Sequence, residues 1–199
     1  MSVCQLERIN MRQDAIENQQ EILKCAKQLF AEKGVQAVSM NLIAKTLGIG
    51  AGTLYRHYAN KSMLCMALVY DDLAQFIETS QQYLAQDHHT PRHHFEQILT
   101  WYLKFREANK ALLMDVDAGN VATSGSYFYT SESYQAVVGV FAEVLADNSP
   151  ELNQQACQFR ADMLIAMLKS DAYAYQRHTR HLDQQQLVTA ITALFLAAS

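Results

Sequence analysis

The chain has 199 residues, 50% of them hydrophobic, so it is long enough to bury a core without help from disulfides or metal ions. Its net charge of −4 argues against a protein that coats nucleic acid with its whole surface, although the charge is unevenly distributed. Residues 1–64 carry eight lysines and arginines against five acidic residues, whereas residues 65–199 carry eight against fifteen, which favours a local polyanion contact by the first part.

The N-terminal sequence and the cysteines indicate the compartment. The first residues lack a basic segment followed by an apolar core, and no window approaches the roughly 18 unbroken apolar residues of a membrane span. The four cysteines are scattered without CxxC spacing, which is typical of thiols in a reducing compartment. We therefore expect a soluble cytoplasmic protein without membrane association, cofactor or metal.

Apolar residues recur at helical spacing along the whole chain, and the strict alternation of half-buried strands is missing from the sequence. In the first part, this spacing predicts a helix that ends near Gly34, a short helix headed by the cap-type residue Ser39, and another helix over residues 51–58. A long helical segment over residues 61–86 follows.

In the second part, Pro91 and Pro150 each precede an apolar-periodic segment, where proline suits the first turn of a helix. Residues 119–125 have the composition of a loop. Further helices are predicted over about residues 127–146, 151–177 and 183–199. The chain is therefore predicted to be all-α, with about nine helices and no internal repeat.

Three glycines fall within five residues at Gly48, Gly50 and Gly52. A dinucleotide-binding loop would need a preceding buried strand and GxGxxG spacing, whereas here the spacing is GxGxG and the preceding segment has a helical pattern. A helix-turn-helix needs a small residue where the helices cross, a turn that permits positive φ, and apolar anchors. Ala44, Gly48 and Leu54 supply these in order, with a plain helical hairpin as the alternative.

The stretch ILKCAKQLFAEKGVQAVSMNLIAKTLGIGAGTLYRHYANKSMLCMAL, from about residue 22 to 67, carries a family pattern. Through A-x-x-L-F-x-x-x-G, I-A, L-G-I, G-T-L-Y and N-K, it resembles the DNA-binding domain of TetR/AcrR-type transcriptional repressors. The resemblance covers about a quarter of the chain. It implies an N-terminal three-helix helix-turn-helix DNA-binding domain over residues 1–64 and a C-terminal helical effector-binding and dimerisation domain over residues 65–199.

The resemblance places DNA contacts on three elements, at Ser39, Asn41, Ala51, Gly52, Thr53, Tyr55, Arg56, His57 and Lys61. Asn41 can pair with adenine and Arg56 with guanine or phosphate, while the lysine and the hydroxyl and imidazole groups suit phosphates. The chain departs from the usual family pattern at Leu42, Gly50 and Ala51, and the small residues at 50 and 51 remove possible base and phosphate contacts. The implied partner is a palindromic double-stranded DNA operator, read by a homodimer whose two recognition helices lie roughly 34 Å apart.

The last two predicted helices offer a dimer surface. The segment from residue 151 has two apolar faces, and a helix with two such faces must bury both. The predicted dimer interface takes one of these faces together with the final helix, and comprises Ala161, Leu164, Ile165, Leu168, Ala172, Leu187, Ala190, Ile191, Leu194 and Phe195. Burial of both faces inside a monomer is the alternative.

A small-molecule effector that releases the protein from DNA is implied by the resemblance. Aromatic and soft apolar residues on the expected helices suit a flat hydrophobic ligand. The predicted pocket residues are Trp101, Tyr102, Phe105, Met114, Tyr134, Phe141, Met163, Met167 and Tyr173.

Some sequence features could indicate a function other than that of a ligand-responsive repressor. The histidine-rich stretch of residues 88–94 could suggest a metal site, but a proline interrupts it and no ligand set is completed nearby, so a polar loop is predicted. No known catalytic spacing is present in the sequence, so we do not expect an enzyme. A DNA-binding adaptor without small-molecule control and a helical cofactor-binding enzyme remain the alternatives.

Overall fold

The computed structural model of the chain describes residues 3–86, 89–117, 129–168 and 170–196. These ranges contain ten α-helices, one π-helical turn and no strand, which confirms the predicted all-α class. The α-helices are α1 (Val3–Lys33), α2 (Met40–Leu47), α3 (Ala51–His57), α4 (Lys61–Gln86), α5 (Pro91–Ala108), α6 (Lys110–Asp117), α7 (Glu132–Asn148), α8 (Gln154–Met167), α9 (Ser170–Ala174) and α10 (Gln184–Phe195). The π-helical turn, Tyr175–Thr179, directly follows α9.

Side-chain caps determine where several helices begin. Thr90 caps α5 by accepting a hydrogen bond from the amide of His93, and Pro91 occupies the first turn, as its position in the sequence predicts. The helix predicted from residue 127 begins at Glu132, because Ser131 caps it. The helix predicted from residue 151 begins at Gln154, because Asn153 accepts from the amide of Ala156.

Two predictions about the second part need correction, and a third concerns residues outside the described ranges. One helix was predicted over residues 151–177, but α8 ends at Met167, and α9 and the π-helical turn follow it as separate elements. In the histidine-rich stretch, His93 and His94 lie inside α5, so the predicted loop is too long. The loop predicted over residues 119–125 lies outside the described residues.

The chain divides into two compact units, Met1–Leu68 and Val69–Ser199. In the first unit, α1 packs against α2 and α2 against α3. Apolar residues from these helices, from the turns and from the start of α4 form its core, which comprises Ile22, Ala26, Leu29, Phe30, Val35, Val38, Met40, Ile43, Ala44, Leu54, Tyr58, Leu64 and Cys65.

In the second unit, α7 packs against α8 and α5, and α10 packs against α5. Four aromatic rings lie together in its core. Tyr102 is 5.4 Å from Phe76 and 5.3 Å from Phe141 between ring centroids, and Phe105 stacks 5.9 Å from Tyr102. Within the described ranges, none of the helices combines the length and the apolar character that a membrane crossing requires.

Candidate nucleic-acid interface

Gly48 makes the turn between α2 and α3. It has φ 70° and ψ 21°, in the left-handed region that a glycine adopts without steric cost. The amide of Ile49 then donates to the carbonyl of Ala44 at 3.0 Å, which satisfies one of the carbonyls left open at the end of α2. The glycine cluster is therefore a helix-to-helix turn, as predicted, and not a loop between a strand and a helix.

Apolar anchors fix both helices of this motif. Ile43 and Leu54 are fully buried, and Ala44 and Tyr58 are nearly so. Burial raises the pKa of the Tyr58 phenol. With Leu54 held in the core, the remaining surface of α3 faces outward.

The outward surface of α3 carries the residues predicted to contact DNA. Ala51, Gly52, Thr53, Tyr55 and Arg56 are all exposed, Tyr55 at 45% despite its size, and the neighbouring His57 is partly buried. A seven-residue helix that exposes five of its residues on one surface can enter a groove. These side chains therefore form a continuous outward surface on one short helix.

Two glycines, Gly50 and Gly52, lie at the start of α3. Gly50 occupies the N-cap position with extended backbone, and no side-chain hydrogen bond caps the helix. Gly52 lies in the first turn, and a Cβ atom added there would meet nothing within 4 Å. The protein itself therefore does not require a glycine at position 52 for packing.

The two predicted contact residues near α2 have different environments. The hydroxyl oxygen of Ser39 accepts from the amide of Leu42 at 3.2 Å, so this side chain caps α2. Asn41 is exposed in the first turn of the same helix. The cap holds the end of α2 from which Asn41 projects.

Lys61 makes a contact that the sequence did not reveal. Its ammonium donates to the carbonyl of Val35 at 2.5 Å and lies 5.9 Å from the centre of the Phe30 ring. The bond joins the start of α4 to the turn that follows α1. Local patterns could not predict it, because its two partners are 26 residues apart.

The charged residues within the motif's own sequence are basic. No aspartate or glutamate occurs between Glu32 and Asp71, whereas Lys45 and Arg56 are exposed on α2 and α3. The absence of acidic residues from this stretch was visible in the sequence and strengthens the weaker signal of net charge. Basic residues without acidic neighbours in the same stretch favour contact with a polyanion.

The second unit requires a correction to the predicted dimer interface. Six of the ten predicted residues lie in the core of the unit itself and are not available to a partner: Ala161, Leu164, Ile165, Leu168, Leu187 and Ile191. Phe195 is partly buried against that core, while Ala172, Ala190 and Leu194 are exposed. The face of α8 that was predicted to meet a partner therefore packs against the core of its own unit.

The opposite face of α8 is apolar and exposed. Phe159, Met163 and Met167 follow one another at a spacing of four residues and are 62%, 46% and 37% exposed. Leu194 on α10 is 69% exposed. The Arg160 guanidinium donates to the carbonyl of Phe195 at 3.4 Å, so the two helices approach each other beside these residues. We call Phe159, Met163, Met167 and Leu194 the outer apolar face.

Six of the nine predicted pocket residues belong to the core of the second unit or pack against it. Tyr102, Tyr134, Phe141 and Tyr173 belong to the core, and Trp101 and Phe105 pack against it. The three methionines, Met114, Met163 and Met167, are exposed instead, so they do not join this group. Spacing alone had not distinguished the core-facing side of each helix from its outward side.

Two buried phenols in this group have carboxylate partners. Tyr134 donates to Asp162 at 2.6 Å, and burial followed by that carboxylate raises the pKa of the phenol. Burial, followed by a hydrogen bond with Glu107, raises the pKa of Tyr173 to about 12, and the Arg177 guanidinium partly opposes the rise. Both phenols are therefore neutral at physiological pH, and Tyr134 acts as a hydrogen-bond donor to Asp162.

Metal ligation and thiol chemistry receive no support from the geometry. In the part of the chain that the structure describes, no three histidine, cysteine or acidic side chains come together as metal ligands would. His89 and His93 stack with ring centroids 4.5 Å apart. Cys25, Cys65 and Cys157 are free thiols, and burial, followed by the charge of Glu32, raises the pKa of Cys25 and so reduces its reactivity.

Comparisons with known proteins match both the motif and the whole fold. Residues 22–68 match the family model described as bacterial regulatory proteins, tetR family. A curated HTH-type transcriptional regulator from Staphylococcus aureus is 38% identical over 173 residues, which cover 87% of this chain and 89% of that protein.

Solved structures agree at the level of the fold. FadR of Thermus thermophilus, described as a TetR-family transcriptional repressor in complex with lauroyl-CoA, has a TM-score of 0.71 at 19% identity, covering 89% of this chain and 92% of that one. FadR of Bacillus subtilis, in complex with stearoyl-CoA, has a TM-score of 0.61 at 16% identity, covering 89% and 97%.

Proposed function

The chain belongs to the TetR family of bacterial regulatory proteins, and we propose that it is a repressor that binds a palindromic operator as a homodimer and leaves it when a small hydrophobic effector binds. Members of this family are DNA-binding transcriptional regulators and not enzymes. The observation that carries the proposal is the exposed surface of α3, which projects polar and basic residues from a helix anchored by the buried Leu54.

We assign the DNA contacts to the first unit. On α3, Arg56 is suited to guanine or to a phosphate, and the hydroxyl groups of Thr53 and Tyr55 are suited to phosphates. Asn41 is suited to adenine from the start of α2. Ala51, Gly52 and His57 on α3 and Ser39 before α2 complete the proposed surface, each through backbone approach or a single polar group.

Lys61 takes a double role in this proposal. Its ammonium donates to the Val35 carbonyl at 2.5 Å, which joins the start of α4 to the turn before α2. We propose that Lys61 holds the turn before α2 and also faces a phosphate. Gly52 is proposed to let the backbone of α3 approach DNA closely, since packing within the protein does not require a glycine there.

Dimerisation is assigned to the outer apolar face. Large apolar side chains at a regular four-residue spacing on a helix are rarely left in water, and a two-fold arrangement would bury each of them against a second copy. Phe159 and Leu194 contribute most of the exposed apolar surface. A homodimer also gives the second recognition helix that a palindromic operator requires.

Effector binding is assigned to the second unit, around the four neighbouring rings of Phe76, Tyr102, Phe105 and Phe141. Tyr102, Phe105 and Phe141 provide ring surface, and Tyr134 provides a polar group at its edge. The FadR structures show acyl-CoA bound to proteins of the same fold, which supports an effector with an apolar body. Release follows if the effector binds a conformation that does not fit the operator.

The proposal is tested by transcription in vitro from the promoter nearest the protein's own gene, with the operator located by footprinting. We expect the wild-type protein to reduce transcription and Tyr55→Ala to restore it, because Tyr55 is exposed and contributes nothing to the core. Transcription that rises with added protein would indicate an activator. A footprint that no small hydrophobic compound reverses would support a DNA-binding adaptor without effector control.

A further inference from the structure

A carboxylate and two tyrosine rings lie together, and one of the rings, Tyr134, belongs to the core of the second unit. Tyr134 is 6% exposed and donates to Asp162 at 2.6 Å. The ring of Tyr129 meets the Tyr134 ring edge-on, with centroids 5.0 Å apart and an interplanar angle of 88°. We call Asp162, Tyr129 and Tyr134 the acidic aromatic cluster.

The negative charge of this cluster lies on Asp162. Asp162 is partly buried on α8, and among the described residues its hydrogen-bond partner is Tyr134, with no ion pair to a lysine, arginine or histidine. A neutral phenol donates one hydrogen bond and leaves the negative charge in place. Taking a carboxylate out of water is costly, and a cation beside it offsets part of that cost.

Tyrosine ring faces carry negative electrostatic potential, so they attract cations as the carboxylate does. Quaternary and other organic cations are recognised by this combination of aromatic faces and a carboxylate. An anionic ligand would be repelled at the same place. The phenol of Tyr134 does not change this balance, since it remains protonated beside Asp162.

We propose that the effector is an organic cation with an apolar body, whose charged group lies against Asp162 and the rings of Tyr129 and Tyr134. This inference rests on the proposed effector response and names the chemical class of the ligand. The apolar body would lie toward Tyr102 and Phe141, which belong to the same hydrophobic core as Tyr134. The class differs from the anionic acyl-CoA bound to the two FadR structures.

The test uses two ions of nearly the same size and shape and of opposite charge, tetraphenylphosphonium and tetraphenylborate. Their binding to the full-length protein is measured by titration calorimetry, and release of the operator is followed in parallel. Asp162→Asn keeps the acceptor for Tyr134 and removes the charge, while Asp147→Asn neutralises an exposed aspartate on α7 as a control.

We expect the phosphonium ion to bind the wild-type protein and to release the operator, and the borate ion to bind at least tenfold more weakly. Asp162→Asn should weaken phosphonium binding by about tenfold or more, whereas Asp147→Asn should not. Equal binding of the two ions, binding of the borate alone, or binding of neither ion would overturn the inference. If the protein still binds its operator without ligand, those results refute only the ligand class and not the proposed DNA-binding function. If no operator complex forms at all, the proposed function itself is refuted.

Discussion

Replacing Phe159 by alanine tests the assignment of the outer apolar face to the dimer. Phe159 is 62% exposed, and complete burial of a phenylalanine side chain is worth about 1.5–3 kcal/mol, so each copy would contribute about 1–2 kcal/mol at the interface. A two-fold interface contains the residue twice, and the loss is therefore about 2–4 kcal/mol per dimer. We expect the dimer dissociation constant to rise roughly 20- to 500-fold.

The measurement is sedimentation equilibrium over a series of protein concentrations without DNA. Tyr55→Ala is the matched control, because Tyr55 is also a large exposed aromatic residue, at 45%, but lies on α3 in the first unit. The control should dimerise like the wild type and fail only in operator binding. A dissociation constant for Phe159→Ala within threefold of the wild type, or a wild type that is monomeric at all concentrations, would refute the reasoning.

The remaining predictions concern the core and the DNA-binding motif. Leu164→Ala should lower the free energy of unfolding by about 2–5 kcal/mol in thermal or denaturant melts, because Leu164 is fully buried; a loss of dimerisation with unchanged stability would return it to the interface. Gly48→Ala should lower the free energy of unfolding by about 1–2 kcal/mol, because φ is 70° there. Gly52→Ala should stabilise the free protein slightly and weaken its operator complex. Equal effects of the two substitutions on stability would contradict the turn geometry. Lys61→Met should lower the free energy of unfolding of the free protein by about 1 kcal/mol, seen as a lower melting temperature, because the bond to Val35 is lost. It should also reduce the salt slope of operator binding by about one. An unchanged melting temperature would show that the bond to Val35 does not stabilise the fold.

Local features of the fold were predictable from the sequence because they depend on neighbouring residues. Ser39 heads α2, Pro91 begins α5, and Gly48 turns the chain into α3, each for a reason contained within a few residues. The helix boundaries that were misplaced follow the same logic, since the cap at Asn153, and not the proline three residues earlier, sets the start of α8. Local chemistry was therefore sufficient for the motif.

Features that depend on tertiary packing were not predictable in the same way. Both faces of α8 are apolar at helical spacing, and which of them faces the core is decided by its packing against α7. Leu164 and Met163 are adjacent in the sequence, yet one is fully buried and the other is 46% exposed. The bond from Lys61 to Val35 likewise joins two segments whose approach only the folded unit determines.

The most direct test of the account is the binding of purified protein to the DNA upstream of its own gene, measured by fluorescence anisotropy at several salt concentrations. Arg56→Ala is compared with Arg92→Ala, an exposed arginine on α5 that pairs with Glu96. The account predicts a sequence-specific complex for the wild type, at least tenfold weaker binding for Arg56→Ala, and wild-type binding for Arg92→Ala. No sequence-specific complex, or equal affinities for the wild type and the Arg56→Ala variant, would contradict the assignment of α3 as the DNA-reading helix.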